Sequence, residues 1–248
     1  MYNYNPRGSR PPYGGNAFSS RYQFQVLPYG YEGTQTSGLL SKVMGLLAVS
    51  FIFAAIGSFV GSLFLLSGGL YLLTAIAGFV VLIALQFLIE KQGVNLFLLY
   101  LFTFLEGMSL GPLIRAYLNT DWGSIILLQA FLITAITSLA LGFYAWTTKR
   151  DFTRIGDYLF LGLILLLVAG LVGIFFHSTF FALVVSVLGV VIFSGYVLYS
   201  VQQARYMADT LPNAIGITVS LFLSLINLFL YILRLLTILQ GGGDERRS

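Results

Sequence analysis

The chain has 248 residues, of which 58% are hydrophobic and 9% charged, with a mean hydropathy of +0.89 and a formal charge of +4. Those proportions lie far from the soluble average and exclude a water-soluble globular domain. The absence of cysteine excludes disulfides, thiol nucleophiles and thiolate metal sites, and the basic balance is assigned to orientation in a lipid bilayer, with no nucleic-acid partner.

Residues 1–37 are rich in Gly, Pro, Asn, Tyr and Ser with scattered Arg. They carry no apolar period and are expected to form a disordered cytoplasmic tail. They also lack the apolar run of a cleavable signal, so the first span is expected to direct insertion. Residues 43–89, 47 in all, contain no charge, which is too long for one crossing and right for two of about 20 residues. Ser67-Gly68-Gly69 is the expected turn between them. Further spans are predicted at about Val94 to Leu113 and Gly123 to Trp146. A second charge-free run, residues 158–204 and again 47 long, gives two more, with a break near His177-Ser178-Thr179. The last span is placed at about Ile215 to Leu239.

The fold class read from this pattern is an all-α membrane protein with seven transmembrane helices in one domain, residues 38–240, followed by a short polar tail over 241–248. The two long uncharged runs are expected to form helical hairpins. With the N-terminus inside, the cytoplasmic segments hold nine basic residues, Arg7, Arg10, Arg21, Lys42, Lys91, Lys149, Arg150, Arg154 and Arg205. The opposite side holds Arg115, Arg246 and Arg247, and Arg234 lies within the last span. Positive charge is retained on the cytoplasmic side, so the reading is a multi-pass protein of a cell (inner) membrane, N-terminus in and C-terminus out.

Glu106 stands out because it is the one carboxylate deep within a span. A charge at mid-bilayer costs about 2.5–3.5 kcal/mol on insertion scales, so such a group faces a cavity or a partner by default. A protonated Glu106 bonded to a neighbouring carbonyl is the structural alternative. In the same span Gly107 and Gly111 form a small-xxx-small pair for close helix approach. Pro112 removes an amide and frees the Met108 carbonyl, predicting a kink or break near Glu106.

The last span carries Ser220, Ser224, Asn227, Tyr231 and Arg234 at intervals of 4, 3, 4 and 3, a single polar face on an apolar helix. The preceding span shows a weaker counterpart in Ser186, Gly189, Tyr196, Ser200 and Gln203, interrupted by Phe193. A cavity lined by Glu106, Tyr196, Ser200, Ser224, Asn227 and Tyr231 is one reading of these stripes, and helix-packing glue is the other. Arg234 either snorkels to the interface or pairs with another group.

Most enzyme chemistries fail on these residues. Asp121, Asp151, Asp157 and Asp209 all fall in or beside loops, so no intramembrane aspartyl pair forms. The single histidine, His177, sits in a turn and supports neither a serine-protease dyad, a metal site nor haem. No P-loop is present, and the last span lacks a Schiff-base lysine. The expectation is a protein that is not an enzyme and holds no cofactor or metal.

Four segments carry a resemblance. Glu106-Gly107 through Leu110-Gly111-Pro112, Tyr144 through Phe152 (YAWTTKRDF), Phe193 through Tyr199 (FSGYVLY) and Ile226 through Arg234 (INLFLYILR) resemble, in order and spacing, the Bax inhibitor-1 or transmembrane Bax inhibitor motif family. The resemblance covers about residues 38–240 and is to a bacterial-type member. It implies six helices surrounding a central polar seventh. Some members resemble pH-sensitive calcium leak channels with an aspartate on each of the sixth and seventh helices. By motif those positions are Ser200 and Ser224 here, and serine cannot titrate near neutral pH. The resemblance thus implies a cation (calcium) or proton leak in which Glu106 replaces the missing carboxylates. A bacterial branch is associated with a membrane-anchored AAA protease, as substrate and modulator engaged through its N-terminal tail, which gives the alternative of a quality-control interaction protein.

Overall fold

The computed structural model describes residues 36–64, 68–175 and 178–241. The expected N-terminal tail, the tail beyond Gly241, Ser67 of the first turn and His177 lie outside the described residues. Seven helices follow one another: α1 (Thr36–Phe64), α2 (Gly68–Leu88), α3 (Val94–Leu118), α4 (Gly123–Thr147), α5 (Gly156–Phe175), α6 (Thr179–Tyr206) and α7 (Leu211–Gly241). A 3-10 turn, Thr153–Ile155, precedes α5. All seven are long and apolar enough to cross a membrane, and among the described residues there is no strand. Helices are the form expected of isolated spans, because each backbone polar group finds its partner within its own segment.

Short polar devices hold the helix ends. The Ser178 hydroxyl accepts from the Phe181 amide and caps α6. Gly93, at φ 80°, makes the sharp entry to α3. The buried Asn95 fixes that turn by donating to the Ile89 carbonyl at 2.8 Å and accepting from the Leu96 amide at 2.8 Å. The Arg115 guanidinium donates to the Ser62 carbonyl at 2.6 Å and so closes the C-terminal end of α1.

α7 is the most buried helix, with 56% of its apolar window inside the bundle against 33% or less for every other span. It packs against α1, α3, α4 and α6. Among the described residues α2 is seated on α3 alone, and α5 on α6 and the 3-10 turn, so four helices rather than six touch the polar seventh. The first predicted hairpin is also not a packed one. α1 and α2 make no contact of their own among the described residues, because α3 occupies the flank of α1. The second hairpin, α5 with α6, does pack.

The α1–α3 contact is the most extensive in the bundle, and glycine makes it so. A Cβ on Gly107 would sit 2.6 Å from Ala54 Cα, and one on Gly111 would sit 2.6 Å from the Ser58 carbonyl oxygen. From the other side, Gly57 lies against the backbone of Phe104 and Gly61 against that of Met108. Two Gly-x3-Gly pairs therefore interlock, and lipid-embedded helices gain van der Waals contact from such close approach. Of the kink or break expected near Glu106, the break does not occur, since α3 runs unbroken from Val94 to Leu118. The Met108 carbonyl that Pro112 leaves without an amide abuts Gly61 of α1, where a Cα–H group can reach it.

Candidate functional site

The α6–α7 seam gathers most of the residues singled out in the sequence. The helices run antiparallel in a register that sets Ser200 opposite Ser220 and Gly189 opposite Tyr231, eleven residues further along each helix. Ser200 is fully buried, and its hydroxyl shares a 2.7 Å hydrogen bond with that of Ser220. Ser224, also buried, donates to the Ser220 carbonyl at 2.6 Å. Ser200 thus meets the residue one turn before Ser224, and Ser224 itself is spent on its own helix. Asn227 donates locally to the Leu223 carbonyl at 2.8 Å.

Toward the C-terminal end of α7 the seam becomes aromatic. Tyr231 stacks on Phe193 at 5.7 Å between ring centroids and 23° between planes. Its ring lies over Gly189, where a Cβ would sit 2.5 Å from Tyr231 Cδ1. Tyr196 reaches Phe193 from its own helix at 6.1 Å. Phe193, which interrupts the polar stripe in the sequence, is the plate on which both tyrosines rest.

Glu106 is not brought to this seam. It sits at the midpoint of α3, half-buried, with its Oε1 3.7 Å from the position of a Cβ on Gly78 of α2. Gly107 and Gly111 lock one face of α3 against α1, and Glu106, about 100° round the helix from Gly107, leaves that face and turns toward α2. Among the described residues α3 makes no contact with α6. The expected cavity shared by Glu106, Ser200 and Ser224 is therefore split, with the carboxylate at α2–α3 and the hydroxyls at α6–α7. Ser109 donates to the Glu106 carbonyl at 2.8 Å, a backbone bond that leaves the carboxylate uninvolved. No group of three His, Cys, Asp or Glu side chains converges among the described residues.

One functional-looking residue escaped the sequence. Gln202, fully buried, donates to the Arg150 carbonyl and accepts from the Phe152 amide, gripping the α4–α5 connection. Arg205 adds a 3.1 Å bond to the Thr148 carbonyl and lies over the Trp146 ring at 5.8 Å. The segment Tyr144 to Phe152 is thus the part that α6 holds. The clue was the pair Gln202-Gln203, of which only one member can face the bundle, and the stripe pointed to Gln203. Across the neighbouring connection Lys42 pairs with Asp209 at 2.9 Å, tying α1 to the α6–α7 turn.

Comparison with known proteins agrees with this architecture. The family model described as "Inhibitor of apoptosis-promoting Bax1" matches residues 36–241. An uncharacterised protein of Campylobacter jejuni is 33% identical over 214 residues, covering 83% of this chain and 92% of the other. A protein of Vibrio cholerae described as an uncharacterised membrane protein is 30% identical over 84% of this chain and 92% of its own length. Protein lifeguard 4 of Mus musculus is 33% identical over 59% of each chain. The Golgi anti-apoptotic protein of vaccinia virus is 33% identical over 60% of each. A match across all seven helices, with bacterial relatives covered almost end to end, makes this chain an integral membrane protein of the Bax inhibitor-1 family.

Proposed function

We propose that the chain is a non-enzymatic member of the family that provides a slow cation leak, shut in this conformation at the α6–α7 seam. The observation that carries the reading is the buried Ser200–Ser220 hydrogen bond, which joins the two helices where the resemblance places a leak channel's carboxylate pair. Hydroxyls paired between membrane helices serve as packing glue, and at this seam they also stand on the helices that would line a pathway. Ser200, Ser220, Ser224 and Asn227 supply neutral oxygens; the Ser200 and Ser220 hydroxyls now bond each other, while Ser224 and the Asn227 amide N–H donate to carbonyls of their own helix. Breaking that set would present them to a cation in transit. Neutral oxygens hold calcium weakly, since tight sites use six to eight ligands and several charges, and weak binding suits conduction better than storage.

Glu106 remains the carboxylate available for titration, acting from the α2–α3 side. Flux into liposomes tests both parts. Wild type is expected to pass calcium or protons slowly, and Ser200→Asp is expected to raise flux and add pH dependence. Glu106→Gln is expected to remove any pH dependence of the wild type. Flux absent at every pH in both wild type and Ser200→Asp would refute the leak.

A second reading is favoured by the same hydroxyls, because a seam without a titratable pair suits an interaction protein as well as a channel. The family model is described by inhibition of apoptosis and a viral relative is named an anti-apoptotic protein, and the resemblance to bacterial-type members implies a membrane-anchored AAA protease as the partner class. Deleting residues 2–30 is then expected to change the half-life in a protease-dependent way, and an unaltered half-life counts against it.

A further inference from the structure

Arg234, exposed on α7, has no ion-pair partner among the described residues. A cavity of about 250 Å³ opens between α5 and α6 beside the Arg234 side chain of α7, lined by Ala169, Gly170, Gly173, Phe181, Val185 and Arg234 among others. Every other wall residue is apolar, so the guanidinium is the one charge presented to the space. The ion pairs among the described residues are Lys42–Asp209 and Asp151–Arg154, neither of which involves it.

Depth narrows the occupant. Gly173 and Phe181 are two residues from the ends of α5 and α6 that flank their turn, and Ala169 and Val185 are six. At 1.5 Å per residue the cavity spans about 3–9 Å below those ends. Arg234 is seven residues from the last residue of α7, about 10 Å, and its side chain rises toward the same level. With the 20 residues of α5, about 30 Å, matched to the hydrocarbon core, that level lies just inside the core boundary, where a long basic side chain reaches a headgroup phosphate. The cavity is smaller than the roughly 300–1,000 Å³ that encloses a whole small ligand, so its occupant lies partly outside the protein. Gly170 offers open space, with nothing within 4 Å of where its Cβ would lie. A groove floored by Ala169, Gly170 and Gly173 suits a methylene chain, and Arg above it suits a phosphodiester held by two N–H donors.

We infer that this pocket binds an anionic phospholipid from the leaflet on the side of the α5–α6 turn, with its phosphate on Arg234 and an acyl chain against α5. The site is separate from the seam and does not rest on the leak.

The full-length protein, purified in detergent, is titrated with phosphatidylglycerol and with phosphatidylcholine of the same chains, and bound lipid is counted by native mass spectrometry. Wild type is expected to prefer phosphatidylglycerol about fivefold or more, the worth of one basic residue near an anionic surface. Arg234→Gln is expected to abolish the preference, weakening phosphatidylglycerol, which carries the net charge, more than phosphatidylcholine, whose phosphodiester is offset by its choline, while Arg234→Lys retains most of it. Gly170→Leu, whose Cβ meets no protein atom within 4 Å, is expected to weaken both lipids by filling the groove, and it carries the test should Arg234→Gln fail to fold. An unchanged preference in Arg234→Gln, undiminished lipid binding in Gly170→Leu, or displacement of the lipid by millimolar inorganic phosphate would each overturn the assignment.

Discussion

Gly107→Ala tests the α1–α3 interlock most directly. Its new Cβ would lie 2.6 Å from Ala54 Cα and closer still to the Ala54 carbonyl, whereas unstrained carbon contacts fall at about 3.5–4.0 Å. Both obstructing atoms are backbone, so no rotamer change relieves the clash, and α1 and α3 must part locally by about 1 Å. A gap of that size forfeits a quarter to a half of each affected dispersion contact, and overpacking of a close-packed site costs about 1–3 kcal/mol. Because this is the bundle's largest helix pair, the upper part of that range, about 2–3 kcal/mol, is expected. In a chain of this length each kcal/mol moves Tm by about 2–4 °C, giving a fall of roughly 4–12 °C by circular dichroism in detergent or bicelles. Gly45→Ala is the matched control, since nothing lies within 4 Å of its Cβ position. It is expected to be neutral or to stabilise by up to about 1 kcal/mol. A Gly107→Ala protein within about 0.5 kcal/mol of wild type, the range of innocuous substitutions, would show that the helices do not meet as closely as described.

Gln202→Leu strands the Arg150 carbonyl and the Phe152 amide. It is expected to cost about 1–3 kcal/mol and to speed hydrogen exchange across residues 148–155, with protection elsewhere unchanged. Ser200→Ala is expected to be mild, about 0.6 kcal/mol, the mean for hydrogen bonds between membrane helices; a loss above about 2 kcal/mol would make the serine pair chiefly a stability element. Lys42→Gln removes a half-exposed ion pair. It is expected to cost no more than about 1 kcal/mol, with the difference shrinking in high salt.

The spans were legible because charge is excluded from lipid, so two uninterrupted runs of 47 residues could only be pairs of crossings. Which helix touches which was not. Gly107 and Gly111 announced a close approach, yet sequence adjacency drew α1 to α2, while the complementary spacing at Gly57 and Gly61 went unread. The register of the last helix was readable from its polar stripe, but its partners were only partly so. Ser224 takes a carbonyl of its own helix, leaving Ser220 to meet Ser200. Phe193 looked like an interruption because polarity, not ring stacking, was the criterion. For Glu106, periodicity fixed its angle relative to Gly107 and left the neighbour on that side undetermined. Pro112 was read by its missing amide alone, without the glycine across the interface that receives the stranded carbonyl.

The most buried helix, α7, leaves the ribosome after the six spans it packs with or lies near. Until α7 arrives, the first six spans have no filled centre, and the Ser200 hydroxyl and the faces of α1, α3, α4 and α6 await a companion still in the exit tunnel. Nascent chains stalled before Leu211 would therefore resemble damaged goods to any surveillance machinery in the bilayer, and maturation would hinge on the 31 residues of α7 threading into a slot already lined for them.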